Sequence, residues 1–232
     1  MKNLICFVLF FILLFVADVQ AASHSHIMQK CSEEFKQNPA EYEVVYNYGE
    51  LQFDNSKSAQ ELSAMITPPY AEMNKHKLNG LTQLMPYIYI ENTTQRTIIE
   101  NYACYYPHSV RIVIGYKPTV YLRNDIRPGS CRFNVTLRHE QTHLDIGHLS
   151  LKKFARHVKA RLPQLVKDAG VRIRLYQHDP NGDKGRSMLN EAYKFQINVM
   201  FERFVKEMTE QQMLIDTPEV YKEETSLCPL DD

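Results

Sequence analysis

Apolar and polar positions follow two different periods in the two halves of this chain. From Glu43 to Phe53 (EVVYNYGELQF) they alternate with a period near two, which predicts a strand around a turn at Gly49. Ser58 to Met65 predicts a short helix ended by Thr67-Pro68-Pro69, and Tyr87 to Ile90 a further strand. Val110 to Ile114 and Thr119 to Leu122 are rich in β-branched and aromatic residues. The intervening Gly115 to Pro118 makes them a hairpin or two neighbouring strands, and Arg127-Pro128-Gly129-Ser130 follows as a loop.

Beyond that loop the period lengthens. No proline occurs from Phe133 through Leu162, and Gly147, Leu151, Phe154, Ala155, Val158 and Leu162 fall on one face of a helix that stops before Pro163. Lys152, Lys153, Arg156, Lys159 and Arg161 lie off that stripe and read as a solvated face. Val171 to Tyr176 predicts a short strand, Asp179 to Gly185 a loop, and Ser187 to Gln211 a second long helix. Strands come early and long helices late, an α+β pattern with a small, mostly antiparallel sheet.

The N-terminus changes the compartment expected for this fold. Lys2, the apolar run Leu4 to Val16 and the small residues around Ala21 match a signal peptide over residues 1–21, leaving one domain over 22–232. The run is shorter than the roughly 18 apolar residues of a membrane span. A secreted or periplasmic protein without a transmembrane anchor is therefore expected. Four cysteines then remain, Cys31, Cys104, Cys131 and Cys228, an even number that suits two disulfides in an oxidising compartment. The favoured pairing is Cys104 with Cys131 and Cys31 with Cys228. Asn92-Thr93-Thr94 and Asn134-Val135-Thr136 match the N-glycosylation pattern.

Charge excludes one function class. Lys and Arg total 27 against 27 Asp and Glu, so the chain has no basic field with which to hold nucleic acid.

Candidate chemistry lies in the first long helix, which contains His139-Glu140-Gln141-Thr142-His143. At 3.6 residues per turn, imidazoles four apart share a face and can bind one Zn2+ at ~2.0 Å, while Glu140 beside them serves as base for a zinc-bound water. A catalytic zinc needs a third protein ligand. Glu191, in Asn190-Glu191-Ala192 on the second helix, leads; His178, Asp179 and Asp183 in the late loop and His148 are alternatives. His148 reaches the metal only if the chain turns at Gly147, and Asp145 lies off the face, suited to orienting an imidazole. Tyr176 or Tyr193 is a candidate donor to a developing oxyanion. Val110 to Ile114 or Thr119 to Leu122 is a candidate edge strand for pairing with an extended peptide.

The segment HEQTHLDIGHLSLKKFARHVKARL, residues 139–162, resembles the motif helix of a family of uncharacterised bacterial proteins predicted to be secreted zinc-dependent proteases. Members read approximately HEQxHFDI followed by a basic helix. The resemblance implies a zincin-like fold, His139 and His143 as zinc ligands, Glu140 as catalytic acid/base, and Asp145 as a motif position of unassigned role. His148 stands where an acidic residue is expected in relatives, and Lys184 precedes Gly185 where a histidine-glycine pair is usual, which removes support for a ligand from that loop. Asn190-Glu191-Ala192 is similar to the glutamate helix of thermolysin-like enzymes, an analogy favouring Glu191. The function expected is a secreted zinc endopeptidase acting on peptide or protein substrates. The alternatives are a hydrolase of cell-wall amides and a disulfide-stapled extracellular binding protein.

Overall fold

The computed structural model describes residues 26–27, 29–66, 78–100, 102–168, 171–174 and 181–229, the backbone alone at 168 and 171–174. The signal-peptide region, Thr67-Pro68-Pro69, Tyr176, His178 and Asp179 lie outside the described residues.

The protein is mixed α and β. Helix α1 covers 29–37, and strands β1 (Glu41–Asn47) and β2 (Gln52–Asp54) follow. Next come helix α2 (Ala59–Met65) and the long strands β3 (Gly80–Ile99) and β4 (Tyr102–Leu122). Helix α3 (Cys131–Asp168), strand β5 (Val171–Arg174), helix α4 (Asp183–Met213) and helix α5 (Pro218–Ser226) complete the described order. Two compact units are formed. One comprises Met1–Tyr42, Glu91–Val110 and Leu162–Phe195; the other comprises Glu43–Ile90, Arg111–Arg161 and Gln196–Asp232.

Strand β4 organises the sheet, since β1, β2, β3 and β5 each pair with it. The β2 pairing is parallel, Gln52 opposite Thr119, whereas β5 pairs antiparallel, Cys104 opposite Arg172. The sheet is therefore mixed rather than mostly antiparallel. The two expected strands Val110–Ile114 and Thr119–Leu122 are one continuous strand. Gly115 is there for close packing, not for a turn: a Cβ on it would lie 2.5 Å from the Tyr87 hydroxyl and 2.6 Å from the Asn47 carbonyl oxygen. Because β4 is the strand to which the others pair, neither segment is the free edge expected for a peptide. Gly49 does turn, with φ 68°, and its amide donates to Asn47 Oδ1 at 2.9 Å.

Helix α2 forms where a short helix is expected and begins in a capping box: the Glu61 amide donates to Ser58 Oγ, and the Ser58 amide to Glu61 Oε2 at 2.7 Å. Helix α3 runs through Pro163 to Asp168 instead of ending at Leu162. Proline costs one backbone hydrogen bond, but Leu151, Val158, Leu162 and Val166 continue one fully buried stripe across it, and burial of that stripe outweighs the lost bond. In the second unit Val120, Leu122 and Leu144 form a core cluster with Leu84 and Phe133 packed against it. That cluster seats the first half of α3 on the sheet.

The disulfides join Cys31 to Cys104 and Cys131 to Cys228, not the expected Cys104–Cys131 and Cys31–Cys228 pairs. Each bridge closes within one unit. Cys31 and Cys104 sit in a buried cluster with Ile27, and Cys228 follows α5 and is bonded to the first residue of α3.

Candidate metal centre

All residues of the site belong to the second unit. Helix α3 buries His139, Glu140 and His143 to 6%, 3% and 7% exposure, although no apolar residue type requires it. Their burial follows from the turn of the helix, which places positions 139, 140 and 143 on the side of Leu144 and Leu151. The partners of these polar groups come from two places in the chain: the start of β3 and the segment from the end of α4 through α5.

Nε2 of His139 and Nε2 of His143 are 3.1 Å apart, and Asp216 Oδ1 lies 3.2 Å from each. Donors held ~2.0–2.1 Å from a tetrahedral zinc are separated by about 3.3–3.4 Å, so the triangle has the dimensions of a three-ligand face. Both outer ring nitrogens are engaged. His139 Nδ1 is 3.0 Å from Glu224 Oε1, and His143 Nδ1 is 2.5 Å from Gln212 Oε1. Gln212 Nε2 donates to the His143 carbonyl at 3.0 Å, which fixes its amide orientation and leaves Oε1 as an acceptor. His143 Nδ1 therefore carries the proton, and in the neutral ring Nε2 presents a lone pair to the centre of the triangle. The carboxylate of Glu224 imposes the same tautomer on His139. Asp216 is itself held by the Tyr221 hydroxyl, which donates to Oδ1 at 2.7 Å. With both rings in that neutral form three acceptors converge and repel one another, and a proton or a metal ion at the centre relieves the repulsion.

The electrostatics agree. Burial disfavours charge on His139, but the Asp216 hydrogen bond and the Glu140 and Glu224 charges outweigh it and raise its pKa to about 9. The His143 pKa is raised by the same balance of burial against Asp216 and Glu140. Burial also opposes ionisation of Asp216, but hydrogen bonds to both imidazoles lower its pKa. Positive charge is favoured at the centre of the triangle, whether a proton or a metal ion carries it.

Glu140 stands beside this set as a buried carboxyl. Burial pushes its pKa above the usual carboxylate range against the pull of both imidazoles. The Thr82 hydroxyl of β3 donates to Oε2 at 2.8 Å. Gly80 admits the other oxygen, since a Cβ there would lie 2.5 Å from Glu140 Oε1. Glu140, His143, Asp216 and Tyr221 face a cavity of ≈ 240 Å³.

His139, Glu140 and His143 come together as the sequence predicts, but the third position is filled by Asp216. Glu191 is exposed and accepts a hydrogen bond from Ser187 Oγ at 3.0 Å. Glu191, the expected third ligand, belongs to the first unit and is not in the His139–His143–Asp216 group: its helix face turns to solvent while Leu189 and Tyr193 turn inward. His148 stacks on Tyr116 and lies 4.2 Å from the Tyr48 ring centroid, an aromatic packing role. Asp145 is exposed and accepts from Gln141, and Asp183 pairs with Arg186. Tyr193 is fully buried in the first unit and donates to Asn190; Tyr221 is the tyrosine that reaches this site.

Sequence reasoning missed Asp216, Gln212, Tyr221, Glu224 and Thr82. One signal for Asp216 was present: Phe204, Met208 and Gln212 recur every four residues on the buried face of α4, and Asp216 is the next step. Backbone turns at Leu214, Ile215 and Asp216 carry the chain past the end of α4, so the step keeps its direction. Among the described residues, His139, His143 and Asp216 are the one group of three or more His, Cys, Asp or Glu side chains with metal-binding spacing. No helix among them is long and apolar enough to cross a membrane. No protein-family model, curated protein or solved structure matches the chain.

Proposed function

We propose that this chain is an exported zinc-dependent peptidase in which His139, His143 and Asp216 hold the metal and Glu140 transfers protons. The carrying observation is the 3.1–3.2 Å triangle of two imidazole nitrogens and one carboxylate oxygen directly beside a buried glutamate. Zinc bound there supplies Lewis acidity, acidifying a water and polarising a carbonyl. Zinc is favoured over calcium or magnesium because two of the three donors are imidazoles. Glu140 accepts a proton at its carboxylate and returns it to the leaving amine. Thr82 fixes the rotamer of Glu140, and the burial of His139, Glu140, His143 and Asp216 shields these groups from bulk water. Gly80 to Leu84 of β3 line that cavity, which gives an extended peptide a strand to lie along.

The test uses mature protein. It is expected to contain about one zinc per chain and to hydrolyse peptides in a chelator-sensitive way. Glu140→Gln should retain the metal and lose roughly 10²–10⁴-fold in rate. Absence of bound metal, or full activity in Glu140→Gln, overturns the proposal. Near-complete burial of the donor set favours a second reading, a structural cation in an extracellular binding protein. Zinc retained by an inactive wild type would support it. Comparing peptides with cell-wall fragments separates a peptidase from a hydrolase of cell-wall amides.

A further inference from the structure

The cavity beside Glu140 has two kinds of wall. Among its polar groups Thr82 is engaged by Glu140, Gln212 by both the ring and the carbonyl of His143, and Asp216 by Tyr221 and the imidazoles, and Gln83 and Thr209 line it as well. Its apolar wall is built from six side chains, Met65 and Ile66 at the end of α2, Leu78, Leu81 and Leu84 at β3, and Met208 of α4. No lysine or arginine lines it, and its acidic groups are Glu140 and Asp216 of the site itself.

We infer that this cavity is a specificity pocket for one large aliphatic or aromatic side chain, belonging to a residue that flanks the cleaved bond. The inference rests on the peptidase reading for the words "cleaved bond" and on the cavity alone for its chemistry. An acidic side chain entering here meets the carboxylates of Glu140 and Asp216. A lysine or arginine could reach only carboxylates already bound by Thr82, Tyr221 and the imidazoles, and would lose its hydration beside six apolar side chains to do so. An apolar side chain loses water from its own surface and from six apolar walls together. At ≈ 240 Å³ the space is smaller than the pockets that hold drug-sized ligands, and suits a single side chain. Because Glu140 lines the same cavity, the occupant belongs next to the bond and not several residues away.

Two measurements test this. In the first, zinc-loaded mature protein cleaves a peptide panel varied one position at a time among Leu, Phe, Ala, Asp and Lys. One position flanking the cut is expected to favour Leu or Phe over Ala by about 10- to 200-fold in kcat/KM, with Asp and Lys poorer still. Met65→Ala, a half-buried position at a helix end, should move the preference toward the bulkier Phe. No preference, or a preference for a charged residue, overturns the inference. The second measurement does not depend on turnover: methyl NMR of Met65 and Met208 in the wild type, titrated with N-acetyl-leucinamide or N-acetyl-aspartamide. Shifts with the leucine probe alone support the pocket even if no peptide is cut, in which case the peptidase reading fails by itself. Silent methyls with both probes overturn the pocket even if peptides are cut.

Discussion

Asp216 is held by three neighbours, the two imidazole rings and the Tyr221 hydroxyl, and this separates it from the other acids of the chain. Asp216→Asn keeps the shape but removes the charge. It is expected to weaken zinc binding by more than the about 10- to 100-fold typical of losing an outer partner. Glu191→Gln, on an exposed helix face, should leave metal content unchanged, and competition with a chromogenic chelator measures both. Gly80 offers a test of Glu140 that spares the metal. Gly80→Ala would place a methyl 2.5 Å from Glu140 Oε1 and 2.8 Å from Thr136 Cγ2, so the carboxylate must shift. A misplacement of about 1 Å can cost on the order of 10²-fold in rate, so this variant should bind zinc normally and turn over slowly. Zinc content and kcat measured on one preparation check it. His139, Glu140 and His143 were legible in sequence because their partnership is local, set by the helical repeat. Asp216, 73 residues after His143, was not, since no local period links it to them.

Among the elements, α2 is closed by near neighbours: Ser58 caps it and Glu61 closes the box. Hydrogen bonds from the Ser58 amide and hydroxyl hold the Glu61 carboxyl below the usual range. A carboxyl with a lowered folded-state pKa stabilises the fold above its unfolded value, and that contribution is lost as pH falls through the lowered value. Ser58→Ala is expected to cost ~1 kcal/mol at neutral pH. The difference from wild type should shrink in acid, as followed by denaturant unfolding at several pH values. Helix α3 and strand β4 show where local reading stops. Pro163 and Gly115 are punctuation in a sequence, and both are overridden by a buried stripe or by close packing across a sheet. The start of β4 and β5 pair at sequence separations of 66 to 72, so their register is a tertiary fact.

For the molecule as a whole, the bridges lie one in each unit and should have separable effects. Cys131–Cys228 spans 97 residues and Cys31–Cys104 spans 73, so each double serine variant is expected to lose roughly 2–5 kcal/mol of stability. Only loss of Cys131–Cys228 should also weaken zinc binding, because Asp216, Tyr221 and Glu224 lie on the segment that this bond ties to the start of α3. Unfolding curves and zinc titrations of both variants, with non-reducing peptide mapping of the wild type, check the pairing and its consequence. By itself the sequence determined the even cysteine count, and also the two periods, the strands-then-helices order, the short helix α2 and the His-Glu-His face, which are consequences of neighbours within a few residues. Only the tertiary structure decided which cysteines meet, that β2 runs parallel to β4, and that Asp216 lies beside His139 and His143. Those outcomes depend on which distant segments bury their apolar faces together, and the free energy that selects them is shared across the packed chain instead of residing in any one stretch.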